Sequence, residues 1–227
     1  MRVLAFDTAT HATVVALRDD HSGLELELRD DPPAGGRPGH AQKLLGLIEE
    51  ALRADTGGWS RLDRIAVGIG PGTFTGMRIG IATAHALAQA TGLPLVGVST
   101  LASLEQAALA PLAAPRPVLA VIDARRGEAF VAGAGLSPSV LTPEALGDVA
   151  GQRAGDGVIA VGDGAIKFRE LLESAGAQVP EDGAAVHRVS AVEHCVLAET
   201  LHPTRLEEVQ PEYLRLPDAE ISLKDID

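Results

Sequence analysis

The sequence predicts an α/β protein in two halves, each built on a mixed sheet. Short apolar, β-branched runs alternate with longer segments whose apolar residues recur at helical spacing, the pattern of sheets covered by helices. The opening runs are joined by short turns and form most simply an antiparallel meander, whereas later ones are separated by whole helices, the pattern of a mixed sheet. The order strands, helix, strand–loop–helix, strand, helix then returns after residue 117 with fewer parts.

Taken in order, Arg2 to Thr8 and Ala12 to Arg18 read as strands, and Leu24 to Arg29 alternates strictly as a half-buried third. A Pro/Gly loop, Asp30 to Gly39, leads into a helix from His40 to Ala54 with an apolar stripe of Leu44, Leu45, Leu47, Ile48, Ala51 and Leu52. Ile65 to Ile69 suits a buried strand. A turn holding Gly68, Gly70, Pro71, Gly72 and Gly76 follows it, and from Thr75 an alanine- and isoleucine-rich helix begins. On that helix Ile79, Ala82, Ala86 and Ala90 form one apolar line and Met77, Ile81, Ala84 and Ala88 another, with Arg78, His85 and Gln89 on a narrow polar stripe. It should be nearly buried all round. Leu93 to Val98 is a strand, and Ser99 can cap a helix to about Leu109. Ala110 to Pro117, with three prolines, suits a hinge. Beyond it come a strand from Val118 to Ile122, a hairpin partner from Glu128 to Ala134, and a helix begun by Thr142-Pro143-Glu144. A strand from Val158 to Val161, an amphipathic helix from Ala165 to Ala175 and a last helix from Ala191 to Leu201 complete the set. The tail from Glu212 is apolar at alternate positions and then acidic.

Composition narrows the functional classes. A chain of 227 residues, 46% hydrophobic, can bury a full core, and with four Phe, one Trp and one Tyr that core must be aliphatic. The net charge of −12 argues against autonomous nucleic-acid binding, which needs a basic footprint. Positive charges come in pairs such as Arg61 with Arg64 and Arg125 with Arg126, not in stripes. No apolar run approaches the roughly 20 residues that span a bilayer. The single cysteine, Cys195, excludes an intrachain disulfide framework and a cysteine zinc cluster. The expectation is a soluble, cytoplasmic protein with no membrane partner.

Strand, glycine turn and helix can cradle a phosphate. Here the P-loop pattern fails because Met77 and Arg78 follow Gly76, and the dinucleotide pattern fails at Thr73 or Thr75. The glycines then either meet a ligand or let a helix pack tightly on the sheet. Asp7, followed by Thr8, ends the first strand where a kinase of the actin type holds magnesium and phosphate, but the glycine expected two residues on is Ala9. The plainer reading of Asp7 is a strand-ending residue that caps a turn. Asp7, Thr8, Gly70 and Gly72 thus mark a degenerate phosphate site. The seven histidines are scattered without a metal-binding spacing and read as surface or loop residues. Cys195 reads as buried and inert. No catalytic constellation and no metal site emerge.

The segments MRVLAFDTAT, GHAQKLLGLIEEAL, GIGPGTFTGMRIGIATAHALA, PLVGVSTLASL and IDARRGEAF, with QPEYLR near the end, closely resemble the TsaB (YeaZ) family. GPGTFTGMRIG is the most specific of them. The resemblance implies the two-domain actin-like ATPase (ASKHA) fold, with a mixed five-stranded sheet in a first domain over 1–110, a smaller second domain over 111–202, and 203–227 returning to the first. It also implies a non-catalytic subunit that partners TsaD, with the ATPase TsaE, in making threonylcarbamoyladenosine on tRNAs reading codons that start with A. Such a subunit needs no cofactor, meets tRNA only through the complex, and forms a homodimer when alone. The metal-binding histidine pair of TsaD-like relatives would fall near Thr100 and Leu104, neither of which serves. The expected partner surface is Arg78, Ala82, His85, Ala86 and Gln89, with His40 and Leu44 of the neighbouring helix. The alternative is an active kinase or ATPase of the same fold, and a peptidase would need a nucleophile the sequence does not show.

Overall fold

A computed structural model describes residues 1–33, 36–54, 57–110 and 116–215. Most of the expected hinge, at 111–115, and the acidic segment 216–227 lie outside the described residues. In the first lobe β1 (Arg2–Asp7), β2 (Thr13–Asp19) and β3 (Leu24–Asp30) form the antiparallel meander, and β4 (Arg64–Gly70) and β5 (Leu95–Ser99) add in parallel on the other side of β1. The sheet order is β3-β2-β1-β4-β5. In the second lobe β6 (Val118–Asp123), β7 (Ala129–Gly133) and β8 (Leu136–Leu141) repeat the meander, and β9 (Ile159–Val161) lies parallel to β6, giving β8-β7-β6-β9. One topology used twice, the second time with one strand fewer, is the two-domain actin-like fold.

Both sheets are covered on both faces, which is why their central strands are apolar throughout. Along β1, Leu4 and Phe6 enter an outer core with helices α1 (His40–Arg53) and α2 (Phe74–Thr91), while Val3 and Ala5 enter a central one. Along β6, Leu119 and Val121 face a second outer core under α4 (Pro143–Gly151), α5 (Asp163–Lys167) and α6 (Arg169–Ser174). Val118, Ala120 and Ile122 face the same central core as β1. That central layer holds helices α3 (Thr100–Leu109) and α7 (Ala191–Thr200): α7 packs on the first sheet, α3 mainly on the second, and the two helices on each other. It is built largely of small residues, including Ala5, Ala16, Ala66, Ala120, Ala191 and Ala198, which lets two helices fit between two sheets.

Charged groups of the first sheet clamp α7 at both ends. The Glu27 carboxylate accepts from the Ala191 amide at 2.7 Å and the Ser190 hydroxyl at 2.8 Å, at the positive end of the helix dipole. The Arg64 guanidinium donates to the Ala198 and Leu201 carbonyls at the other end. After α7 the chain returns along the first lobe: Val209 is buried in its outer core, and the Glu212 amide donates to the Ile69 carbonyl at 2.8 Å.

Four details differ from expectation. Strand β8 carries Pro138 and two serines, a composition that reads as loop; as the sheet's edge it tolerates the missing donor. The helix expected over Ala165 to Ala175 is broken at Phe168, whose backbone leaves helical geometry between α5 and α6. Ser99 stands before α3 but its hydroxyl makes no cap. Helix α2 is not buried all round: Met77, Ile81, Ala84 and Ala88 face the core, while Ala82, Ala86 and Ala90 are exposed. Among the described residues no helix is long and apolar enough to cross a membrane.

Candidate functional site

β1 delivers Asp7 to the centre of the molecule, where the protein itself satisfies its carboxylate. One oxygen accepts from the Ala9 amide at 2.5 Å, closing the turn after the strand. The other accepts from the Thr100 hydroxyl at 2.7 Å and lies 3.0 Å from His194 Nε2. His194 Nδ1 is 2.9 Å from the Ser190 carbonyl, so both ring nitrogens face acceptors, the arrangement of an imidazolium. Asp7 is 1% exposed and His194 fully buried. Burial opposes charge on both groups, but contact with His194, and the Ala9 and Thr100 hydrogen bonds, hold the Asp7 carboxyl below its ordinary range. For His194 burial is likewise overridden by Asp7, which raises the imidazole above its ordinary value.

The glycine turn closes over the same segment. The Thr73 amide donates to the Ala9 carbonyl at 2.7 Å, and the Thr8 hydroxyl donates to the Gly76 carbonyl at 2.7 Å. A Cβ on Gly68 would lie 2.0 Å from an Asp7 oxygen, on Gly72 2.2 Å from the Ala9 carbonyl, and on Gly76 1.9 Å from the Thr8 carbonyl. Those glycines are present because backbone and carboxylate approach where a side chain would stand. Of the expected phosphate site, Gly72 lies on the Ala9 backbone just beyond Asp7 and Thr8, whereas a Cβ on Gly70 would meet the Met77 side chain instead. Thr8 and Ala9 are fully buried, and an amide that could cradle a phosphate is used internally.

The positions where TsaD-like relatives would carry metal ligands are equally committed. Thr100 holds Asp7, and Leu104 is in the central core. Among the described residues the one grouping of potential metal ligands is Asp19, Asp20 and His21, on the β2–β3 turn. Cations already attend it, with the Arg2 guanidinium 3.6 Å from Asp19 and the Met1 amino group on Asp20. The Asp7–His194 pair does not make a hydrolase. It is sealed from solvent, and the imidazole nitrogen that would take a proton from a nucleophile faces the Ser190 carbonyl. Cys195 is fully buried and burial pushes its thiol up, away from the reactive thiolate.

The expected partner surface divides in two. On α2, Ala82, Ala86 and Gln89 are exposed. Arg78 donates to the Tyr213 hydroxyl at 3.0 Å and His85 Nε2 donates to the Val209 carbonyl at 3.0 Å, so both are engaged by the returning C-terminal segment. His40 and Leu44 are not on the surface. His40 is buried with Nδ1 2.8 Å from the Thr13 hydroxyl, and Leu44 is in the outer core; the exposed apolar residue of α1 is Leu45, at 58%. His40, His187 and His194 are thus interior, contrary to the reading of every histidine as surface or loop. His40 meets Thr13 and His187 meets Gly162, 27 and 25 residues away, and His194 faces Asp7 from across the fold, so no local pattern announces their burial.

Residues 33–181 match the family described as TsaD: tRNA N6-adenosine threonylcarbamoyltransferase. The YeaZ structure from Pseudomonas aeruginosa superposes with a TM-score of 0.77 at 31% identity, covering 94% of this chain and 99% of that one. The chain belongs to the TsaB (YeaZ) family. The tRNA threonylcarbamoyladenosine biosynthesis protein TsaB of Escherichia coli (strain K12) is 41% identical over 133 residues, covering 57% of this chain and 53% of that protein. The chain spans about half the length of the curated relatives it matches. Another solved relative is described as an uncharacterized protein with similarity to peptidase YEAZ from Pseudomonas aeruginosa, at 30% identity, a TM-score of 0.76 and coverage of 94% of this chain and 99% of that one.

Two outcomes follow. Gly76→Ala places a methyl against the Thr8 carbonyl and should lower stability by about 1–3 kcal/mol or more, read as a shifted denaturant midpoint. The raised His194 stabilises fully below its unfolded value of about 6.5 and stops doing so as pH rises through its folded one; the lowered Asp7 stabilises above about 3.9 and stops as pH falls through its folded one. The stability gap between the native chain and Asp7→Asn, about 3–5 kcal/mol for a broken buried pair, should therefore be largest between about pH 4 and 6.5. It should shrink at both ends in denaturant titrations.

Proposed function

We propose that this chain is a non-catalytic subunit of a tRNA-modifying assembly. In this reading it docks on a TsaD-like threonylcarbamoyltransferase, with a TsaE-like ATPase, for threonylcarbamoyl transfer to adenosine in tRNAs that read codons starting with A. The observation that carries it is the closed centre: the carboxylate and glycine turn that a kinase or ATPase of this fold would open to a nucleotide are spent on His194, Thr100 and each other. What remains for function is surface. The alanine line of α2 offers it, because Ala82 and Ala86 are exposed, small and allow another helix to approach closely. Docking stabilises a competent state of the catalytic subunit by as much as binding differs between its states. Without that partner the same face pairs two copies about a two-fold axis. The net charge of −12 leaves tRNA contacts to the partner subunits.

Ala82→Glu and Ala86→Glu alter exposed positions and should leave the thermal midpoint within about 2 °C, as surface substitutions within about ±0.5 kcal/mol do. Each should abolish co-elution with the TsaD-like subunit in size-exclusion chromatography. Undiminished complex formation by both variants would place the interface elsewhere.

A further inference from the structure

After α7 the chain comes back along the first lobe and then reaches across to the second. Val209 anchors it in the outer core of the first lobe, its carbonyl accepting from His85 Nε2 at 3.0 Å. The Glu212 amide donates to the Ile69 carbonyl of β4 at 2.8 Å. Tyr213 stacks on Phe74 with ring centroids 5.5 Å apart, and its hydroxyl accepts from Arg78 Nε at 3.0 Å; both partners belong to α2. Two residues later the contacts change lobe. Arg215 donates to the Ala124 carbonyl at 2.9 Å and pairs with the Glu128 carboxylate, both in the turn between β6 and β7. The segment thus bridges a cleft of about 430 Å³ whose walls include Phe74 and Met77 of α2 and Asp123 to Arg126 of that turn.

The receiving turn is held rigid from within its own lobe. The Ala124 amide donates to the Glu128 carbonyl and the Glu128 amide to the Arg125 carbonyl, each at 3.0 Å. The Asp123 carboxylate accepts from the Arg125 amide at 2.9 Å and from Lys167 of α5 at 2.7 Å. A fixed carbonyl and a fixed carboxylate therefore meet a guanidinium that enters from the other lobe. At 20% and 34% exposure, Arg215 and Glu128 are more enclosed than Arg188 and Asp31, a second pair between the lobes at 52% and 46%. The less exposed pair is the less screened and contributes more. Beneath these ties, α7 on the first sheet packs against α3, which lies mainly on the second. Small sliding of packed helices is one way that lobes shear past each other.

We propose that Val209–Arg215 is a strap that fixes the angle between the lobes, with Arg215 as its latch. Latched on Ala124 and Glu128, it holds the cleft at this width. Released, it lets the lobes shear on the α3–α7 contact and the cleft open. This does not depend on the proposed partnership.

Cys195 is fully buried, so cysteines introduced at exposed Gln42 of α1 and Glu170 of α6 can be spin-labelled selectively, one in each lobe. Labelled chain diluted into unlabelled chain, so that only distances within one molecule are read, should give a single narrow distance distribution by double electron–electron resonance. Arg215→Ala and Glu128→Gln should each broaden it, and the two together should add nothing, because both remove one tie. Exchange of the Ala124 and Glu128 amides should be roughly three- to tenfold faster in each variant. Exchange within the sheets, at Leu4 and Leu119, should not change. An unaltered distribution in Arg215→Ala would overturn the proposal. So would faster exchange inside either sheet, which would make Arg215 a support of one lobe, and so would broadening that adds in the double variant.

Discussion

The buried contact between the Asp7 carboxylate and the His194 imidazolium sets the geometry around it. β1 ends at that carboxylate, α3 begins with the Thr100 hydroxyl on it, and α7 is oriented by the histidine that faces it. Two charges this deep are tolerable only as a pair with their remaining valences filled, and the Ala9 amide and Ser190 carbonyl fill them. Since α3 and α7 are packed between the two sheets, one ion pair in the first lobe also positions the layer on which the second rests.

The same constraint explains the glycine turn. Once Thr8 and Ala9 are drawn inward behind Asp7, the chain from Gly68 to Gly76 can reach the sheet only by lying on their backbone, and glycine is the residue that permits it. A turn able to cradle a phosphate becomes the seat of a helix. In the proposed reading chemistry at the centre is given up, and the outer face of α2 becomes the surface with something to offer. The proposed docking role follows from that shift from interior to surface.

Much of this was legible in the residues. The meander, the parallel additions, the two-lobed repetition and the family membership all rest on local patterns, namely alternation, helical spacing, turn residues and the GPGTFTGMRIG run. Asp7 as a turn cap and Cys195 as an inert core residue were equally readable. Edge strand β8 was not, because Pro138 and its serines mimic a loop. Nor were His194, His40 and Glu27, whose partners lie across the fold: a histidine on a helix carries no local sign that a carboxylate waits far along the chain. His40 and Leu44 were misplaced for a related reason. Helical spacing shows which residues share a face, but Leu44 and Leu45 are both apolar and only packing decides which of them is covered.

The central claim is that the nucleotide site of this fold is filled by the protein's own groups. Calorimetric titration of the purified chain with Mg-ATP tests it most directly. The account predicts no saturable heat. Saturable binding that disappears in Asp7→Ala would contradict it and return the chain to the nucleotide-using members of the fold.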